Sequence, residues 1–263
     1  MDFTHLGQGS IYAQEYNPGL LQAVPRIKPK HMPEQVHGFD LWWAYEVSWL
    51  NPNKKPMVAV AEIVFPADSK CLIESKSLKL YLNSLNMQVF AEPDLVSSLI
   101  AKDLSELLEA AVTVKFKAVD SAHDQADLTY NCLDDLDVKG SFEVIDNSFL
   151  KISQDIVSEK LVSHLLKSNC LVTNQPDWGS VFIEYTGPQI DHHGLLQYII
   201  SFRNHNGFHE QCVDLIFADI MAKCQPELLQ VRAQYTRRGG LDINPIRSNT
   251  LINSTMLART FRQ

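Results

Sequence analysis

What the chain lacks narrows it first. No stretch approaches the ~20 consecutive apolar residues that a membrane-spanning helix needs. The opening MDFTHLGQGS shows none of the basic, apolar and small-residue order of a secretory leader. Both absences predict a cytoplasmic protein without membrane contact. The five cysteines, Cys71, Cys132, Cys170, Cys212 and Cys224, are odd in number, widely spaced and free of any C-x-x-C. That argues against a disulfide framework and against a zinc ribbon. Glycine is missing where a dinucleotide fingerprint would need it: GQGSIY (7–12) lacks the third glycine, and no strand precedes it. Basic residues are short as well, 23 Lys and Arg against 31 Asp and Glu, so direct nucleic-acid binding is not expected.

What is there is apolar. Hydrophobic residues make up 45% of 263 positions, enough for one large core or two modest ones. The charge imbalance is local. Between Val119 and Asn147, eight acids (Asp120, Asp124, Asp127, Asp134, Asp135, Asp137, Glu143 and Asp146) face one base, Lys139, and this stretch holds nearly all of the net −8. A like-charged stretch with few apolar residues reads as a solvated connector. The expected layout is an N-terminal half, 1–118, an acidic linker, 119–147, and a C-terminal half, 148–263.

The halves share a pattern. WAYEVSWL (43–50) and MVAVAEIVF (57–65) alternate around Asn51, Pro52 and Asn53 and predict a hairpin. Leu95, Leu99, Leu104, Leu107, Leu108 and Ala111 then recur at helical spacing after Pro93, and Thr113–Lys117 returns to alternation. In the second half SVFIEYTG (180–187) reads as a strand. Asp191 is placed to cap a helix bearing Leu195, Leu196, Ile199 and Ile200, a second helix carries Cys212, Leu215, Ile216 and Ile220, and LLQVRAQY (228–235) reads as a strand. Two rounds of strands, helices and strand predict an α+β protein of duplicated halves, each an antiparallel sheet with helices on one face.

Polar clusters supply the candidate chemistry. SNCLVTNQPDWGS (168–180) sets Cys170 after the strand LVSHLL and seven positions ahead of Asp177. A thiol there is either a nucleophile with a carboxylate to take its proton, or a small buried hydrophobe. RNHNGFHEQC (203–212) offers His205, His209 and Glu210 at a helix start, either for catalysis or as capping polarity with Asn206 as N-cap. H-E-x-x-H needs histidines four apart, and Val213 follows His209 instead, so no metal is expected there. IESKSLKLYLNSL (73–85) places Lys76 and Lys79 at a strand-to-helix junction, as an anion site or as a solvated helix face. YTRRGGLDIN (235–244) adds Arg237, Arg238 and two glycines that admit close approach of a ligand to the backbone.

Taken together, ESKSLKLY, SNCLVTNQPDWGS, SFRNHNGFHEQC and YTRRGGLDINPIRSN, with the N-terminal LLQAVPR, resemble the NADPH-dependent 7-cyano-7-deazaguanine reductases, the nitrile reductases of queuosine biosynthesis, in their long two-module form. The acidic stretch matches poorly. The resemblance implies a tunnelling fold of two tandem ferredoxin-like halves and a homodimer. It implies Cys170 as the nucleophile that forms a thioimide with the nitrile, and Asp177 as its proton carrier. Ile73, Glu74, Ser75, His209 and Glu210 would contact the substrate 7-cyano-7-deazaguanine. Ser75, Lys76, Arg238 and Gly239 would hold NADPH. Two other classes stay open at this point: a cysteine-dependent nitrile or amide hydrolase, and a non-catalytic purine- or pterin-binding protein.

Overall fold

The structure, a computed structural model, describes residues 15–121, 129–140, 144–252 and 259–263. GQGSIY and three acids of the acidic stretch, Asp124, Asp127 and Glu143, lie outside the described residues. The described chain divides into two packing units. One comprises residues 15–26, 39–121 and 237–243, and the other takes 27–38, 129–140, 144–236, 244–252 and 259–263. Relative to halves of 1–118 and 148–263, the segment 27–38 groups with the later unit and 237–243 with the earlier one.

In the first unit the expected hairpin forms, with longer strands. After the short β1 (Ala23–Pro25) come β2 (His37–Leu50) and β3 (Pro56–Pro66), whose alternating Trp42, Ala61 and Ile63 are buried. Asn51 makes the turn between them: its side-chain oxygen accepts from the backbone N–H of Asn53 and of Lys55, both at 3.0 Å. β4 (Cys71–Ile73) pairs antiparallel with β1 and leads into α1 (Ser75–Ser84); α2 (Pro93–Leu108) opens on its proline, and β5 (Thr113–Lys117) adds antiparallel to β3. The strand order here is β5, β3, β2. Leu78 and Tyr81 of α1, the C-cap Leu85, and Val96, Ile100 and Leu104 of α2 close the core against Trp42, Val47 and Ile63.

The second unit is built on β6 (Asn131–Cys132), β7 (Ile152–Asn169), β8 (Pro176–Ile190), β9 (Leu228–Tyr235) and, from residue 244 onward, β10 (Leu241–Ser248), with α3 (His192–Ile200) and α4 (His209–Cys224) between β8 and β9. Its strand order runs β10, β9, β8, β7, β6, antiparallel except for the two-residue parallel pairing of β6 with β7. Asp191 caps α3 as expected, accepting from the N–H of His193 and Gly194. Leu195, Ile199, Val213, Ile216 and Ile220 cover Val181, Ile183 and Val231 of the sheet. The fold is thus α+β. No helix among the described residues is long and apolar enough to cross a membrane.

Two features depart from the sequence reading. The acidic stretch is more than a connector: β6 lies inside it, Leu133 is only 1% exposed, and Leu136, Val138 and Ile145 pack on the same core. The four apolar side chains are spaced among the acids, so charge density conceals them. The segment 241–248 is a strand buried throughout, although its asparagine, proline and arginine are poor strand signals. Arg247 meets Asp214 of α4 there at 2.5 Å, both side chains wholly buried.

A second buried ion pair, Arg26 with Asp40 at 2.6 Å, lies in the first unit with each side chain 1% exposed. The Arg26 guanidinium also donates to the Ser69 carbonyl and hydroxyl, both at 3.2 Å. Asp40→Ala would strand that guanidinium out of water, and a loss of about 3–5 kcal/mol in urea unfolding is expected. Lys70→Ala, which removes an exposed partner of Glu109, should cost under about 1 kcal/mol. Equal losses in the two variants would contradict the assignment.

Candidate active site

Cys170 and Asp177 sit at the tip of the β7–β8 hairpin, and an irregularity in the ladder decides their mutual orientation. Up to Ser163↔Val181 the strands pair in one register; from Leu166↔Gly179 onward they pair in another, because β7 carries one extra residue at His164–Leu165. Beyond this bulge Ser168 faces Asp177 and Asn169 faces Pro176. The next step is Cys170 opposite Gln175, with Cys170 N–H donating to the Gln175 carbonyl at 2.8 Å. Opposite residues share a face and alternate residues return to it, so Cys170 and Asp177 are diagonal neighbours on one face. In the earlier register they would lie on opposite faces.

The tip is held from a second side. Asn169 N–H donates to the His205 carbonyl at 2.7 Å, Gly207 N–H donates to the Asn169 carbonyl at 3.1 Å, and the Asn206 amide donates to Asn174 Oδ1 at 3.0 Å. Asn174 itself adopts a left-handed conformation, φ 56°, which closes the turn. Asn206 therefore fastens the hairpin loop and does not cap the helix that follows. Phe208 occupies the N-cap position, and Gln211, not Glu210, folds back to accept from the Phe208 N–H at 3.2 Å. His205 is structural too: burial lowers its pKa, and its ring packs edge-on to Phe202.

The first turn of α4 delivers His209 and Glu210 to this corner. His209 Nε2 lies 3.7 Å from Asp177 Oδ1, and the Asp177 and Glu210 side chains are both about 2% exposed. The His209 ring stands perpendicular to Tyr235 at 4.1 Å between centroids. Tyr235 in turn lies across Gly179, where a Cβ would come within 3.1 Å of the ring. Glycine at 179 thus leaves room for the Tyr235 ring that supports His209. Beneath, the Ser168 and Tyr235 hydroxyls are buried against one another and against the Cys212 sulfur, a weak acceptor.

The cysteines separate by environment. All five are free thiols. Burial pushes Cys212 up to about 11 and Cys224 up to about 12, which leaves them inert near neutral pH. Cys170 is half-buried at a polar loop mouth.

The remaining candidates belong to the first unit. Ile73 ends β4 with its side chain in the core, so what it offers a ligand is backbone. Glu74 is the N-cap of α1, its carboxylate accepting from Lys76 N–H at 2.9 Å and Ser77 N–H at 2.7 Å. Ser75 and Lys76 open that helix. Arg238 N–H bonds the Leu241 carbonyl at 2.8 Å across a turn whose Gly239 and Gly240 have φ of +56° and +81°. A Cβ on Gly239 would stand 3.2 Å from the Lys79 ammonium, and Arg237 lies over the Tyr45 ring at 4.2 Å and pairs with Glu46 at 2.9 Å. Lysine, arginine and two side-chain-free residues in one corner suit a polyanionic group such as the phosphates of a dinucleotide. Lys79, the second lysine of ESKSLK, belongs to this corner.

Family models of two kinds match the chain: "Nitrile reductase, 7-cyano-7-deazaguanine-reductase N-term" over residues 12–116, and "QueF-like protein" over residues 176–253. Two curated proteins, each named NADPH-dependent 7-cyano-7-deazaguanine reductase and found in Legionella pneumophila strains Lens and Corby, are 52% identical to it over 255 residues, covering 93% of this chain and 89% of theirs. The chain belongs to the 7-cyano-7-deazaguanine reductase family. A solved structure, that of the archaeosine synthase QueF-Like in the apo form, is 17% identical and covers 36% of this chain and 94% of its own, with a TM-score of 0.32. Within the reductase family, the family models span both ESKSLK and Asp177 with the His209–Glu210 pair, while Cys170 falls between them.

Thiol chemistry tests this assignment of environments. In the folded protein at neutral pH, iodoacetamide followed by peptide mapping should modify Cys170 and the exposed Cys132, and spare Cys212 and Cys224 until urea unfolds the chain. Modification of Cys212 at the rate of Cys170 would contradict the packing described.

Proposed function

We propose that the protein reduces the nitrile of 7-cyano-7-deazaguanine to a primary amine, giving 7-aminomethyl-7-deazaguanine with NADPH as reductant, on the route to the tRNA nucleoside queuosine. The observation that carries the reading is the shared face of Cys170 and Asp177, set by the β7 bulge, in a chain with 52% identity to enzymes of that name.

The chemistry follows from the residues. A nitrile is a poor hydride acceptor. Addition of the Cys170 sulfur to its carbon forms a C–S bond and turns the triple bond into a C=N that protonation activates. Asp177 takes the thiol proton and passes it to the nitrile nitrogen, so the carboxylate ends the step as it began and the product is a neutral thioimide. His209, beside Asp177, steadies that carboxylate and borders the substrate. Glu210 offers two acceptor oxygens to the ring N–H and exocyclic amino group of the 2-amino-4-oxo pyrimidine edge, a match that charge strengthens in a buried setting. NADPH would supply the hydrides, one from each of two molecules bound in turn; between the two transfers the C–S bond breaks, the Cys170 sulfur leaves, and the imine that remains is reduced to the amine. Ser75, Lys76, Arg238 and Gly239 hold its phosphates, with Lys79 beside Gly239, while Ile73, Glu74 and Ser75 contribute substrate contacts. The motif resemblance further supports a tunnelling fold of two ferredoxin-like modules and a homodimer, while the composition supports a cytoplasmic location and no direct contact with nucleic acid.

The direct test is to mix the purified protein with 7-cyano-7-deazaguanine and NADPH and follow cofactor absorbance and product mass. Substrate-dependent NADPH oxidation with formation of the aminomethyl product is expected. Release of ammonia without NADPH oxidation would make the protein a hydrolase instead. Asp177→Asn keeps the shape of the side chain but cannot shuttle the proton, and its turnover should fall roughly 10²–10⁴-fold with substrate affinity retained. Turnover close to the wild type would reduce Asp177 to a turn residue.

A further inference from the structure

The bulge that orients the active-site hairpin also turns a histidine outward. His164 is exposed at the bulge of β7, and β6 runs parallel beside that strand, pairing Cys132 with Val162. Cys132 Sγ, an Asp134 carboxylate oxygen and a His164 ring nitrogen all lie within 4.8 Å of one another. We propose that Cys132, Asp134 and His164 form a binding site for a divalent transition-metal ion of the zinc type.

The donor set suits such an ion: a thiolate, an imidazole and a carboxylate are the ligands that zinc takes, in a tetrahedron whose fourth position is left to water. Bond lengths of about 2.0–2.3 Å place tetrahedral donors roughly 3.3–3.8 Å apart, so the three side chains need close in by only about 1 Å.

The surroundings hold the donors in place. His164 Nδ1 lies 2.8 Å from the buried Ser180 hydroxyl, which orients the ring and leaves Nε2 for the metal. Asp134 accepts from Ser163 Oγ at 2.7 Å and from His164 N–H at 2.9 Å, so its carboxylate is tied to the bulge itself. The backbone between them is pinned by Leu133 N–H, which donates to the Val162 carbonyl at 2.9 Å, and by the burial of Leu133 in the core. On binding, the Cys132 thiol gives its proton to solvent, Nε2 coordinates through its lone pair, and the carboxylate needs no change.

A catalytic thiol–imidazole–carboxylate relay is the competing chemistry for these residue types. It requires the carboxylate to orient the imidazole. Here a hydroxyl does so, and Asp134 addresses Ser163 and the backbone. A metal would instead clip the start of the acidic stretch to the edge of the sheet. The surplus of acids between Val119 and Asn147 favours a cation there.

The test uses the full chain, stripped of metal with a chelator and then dialysed against Zn²⁺, and measures metal content and melting temperature. Wild type and Cys170→Ala should each take up one equivalent and melt at a higher temperature with zinc than without. Cys132→Ser, Asp134→Asn and His164→Ala should each bind at least about tenfold more weakly and lose the zinc-induced rise in melting temperature. The metal-free melting temperature of Cys132→Ser, a change at an exposed position, should match the wild type, and its reductase activity without metal should be unchanged. No uptake by the wild type, equal uptake by the three variants, or loss of uptake in Cys170→Ala would each overturn the proposal.

Discussion

One extra residue in β7 sets the phase of everything beyond it. A strand alternates its side chains between two faces, so a single inserted residue exchanges the faces of all that follow. The shift at His164–Leu165 buries Leu166 and Ser168 where an unbroken strand would have buried Leu165, and it leaves Leu165 40% exposed. The same shift brings Cys170 onto the face of Asp177. Cys170 and Asp177 flank one hairpin turn, and no direct bond between them is needed to establish their phase. Backbone pairing does that before any side chain contributes.

The helix start at His209 then completes the corner, by packing more than by charge. Tyr235 crosses Gly179 and supports the His209 ring, and the buried Cys212, Ser168 and Tyr235 form the floor. A buried carboxylate such as Glu210 costs free energy to desolvate unless something meets it. Its position in the first turn of α4, where the N–H groups point outward, lowers that cost. In the first unit the carboxylate of Glu74 is spent on the start of α1, and Lys79 stands beside the bare backbone of Gly239.

Much of this was readable from residue order. Alternation located both hairpin strands of the first unit, and Asp191 marked the start of α3 because an acceptor side chain there satisfies free helix N–H groups. The motifs carried Cys170, Asp177, His209 and Glu210, and the structure brings these four to one corner. What stayed hidden has physical causes. A bulge has no composition, so LVSHLL reads as an unbroken strand and gives no sign of which leucine faces in. Asn206 has the chemistry of a cap, yet the loop it fastens lies more than thirty residues earlier in the chain, beyond any local pattern. The strand 241–248 is stabilised by burial and by the Arg247–Asp214 pair, neither of which appears in β propensity. Cys132 and Asp134 lie about thirty residues ahead of His164 and meet it through parallel pairing at a sheet edge.

Hairpin phase is proposed to present the Cys170 sulfur to the nitrile carbon. The measurement closest to it is intact-mass spectrometry of the protein incubated with 7-cyano-7-deazaguanine in the absence of NADPH, followed by peptide mapping of the adduct. The account predicts a mass gain of one whole substrate molecule, located on Cys170 and absent from Cys170→Ala. An adduct on Cys132 or Cys212, or turnover by Cys170→Ala at the wild-type rate, would contradict it.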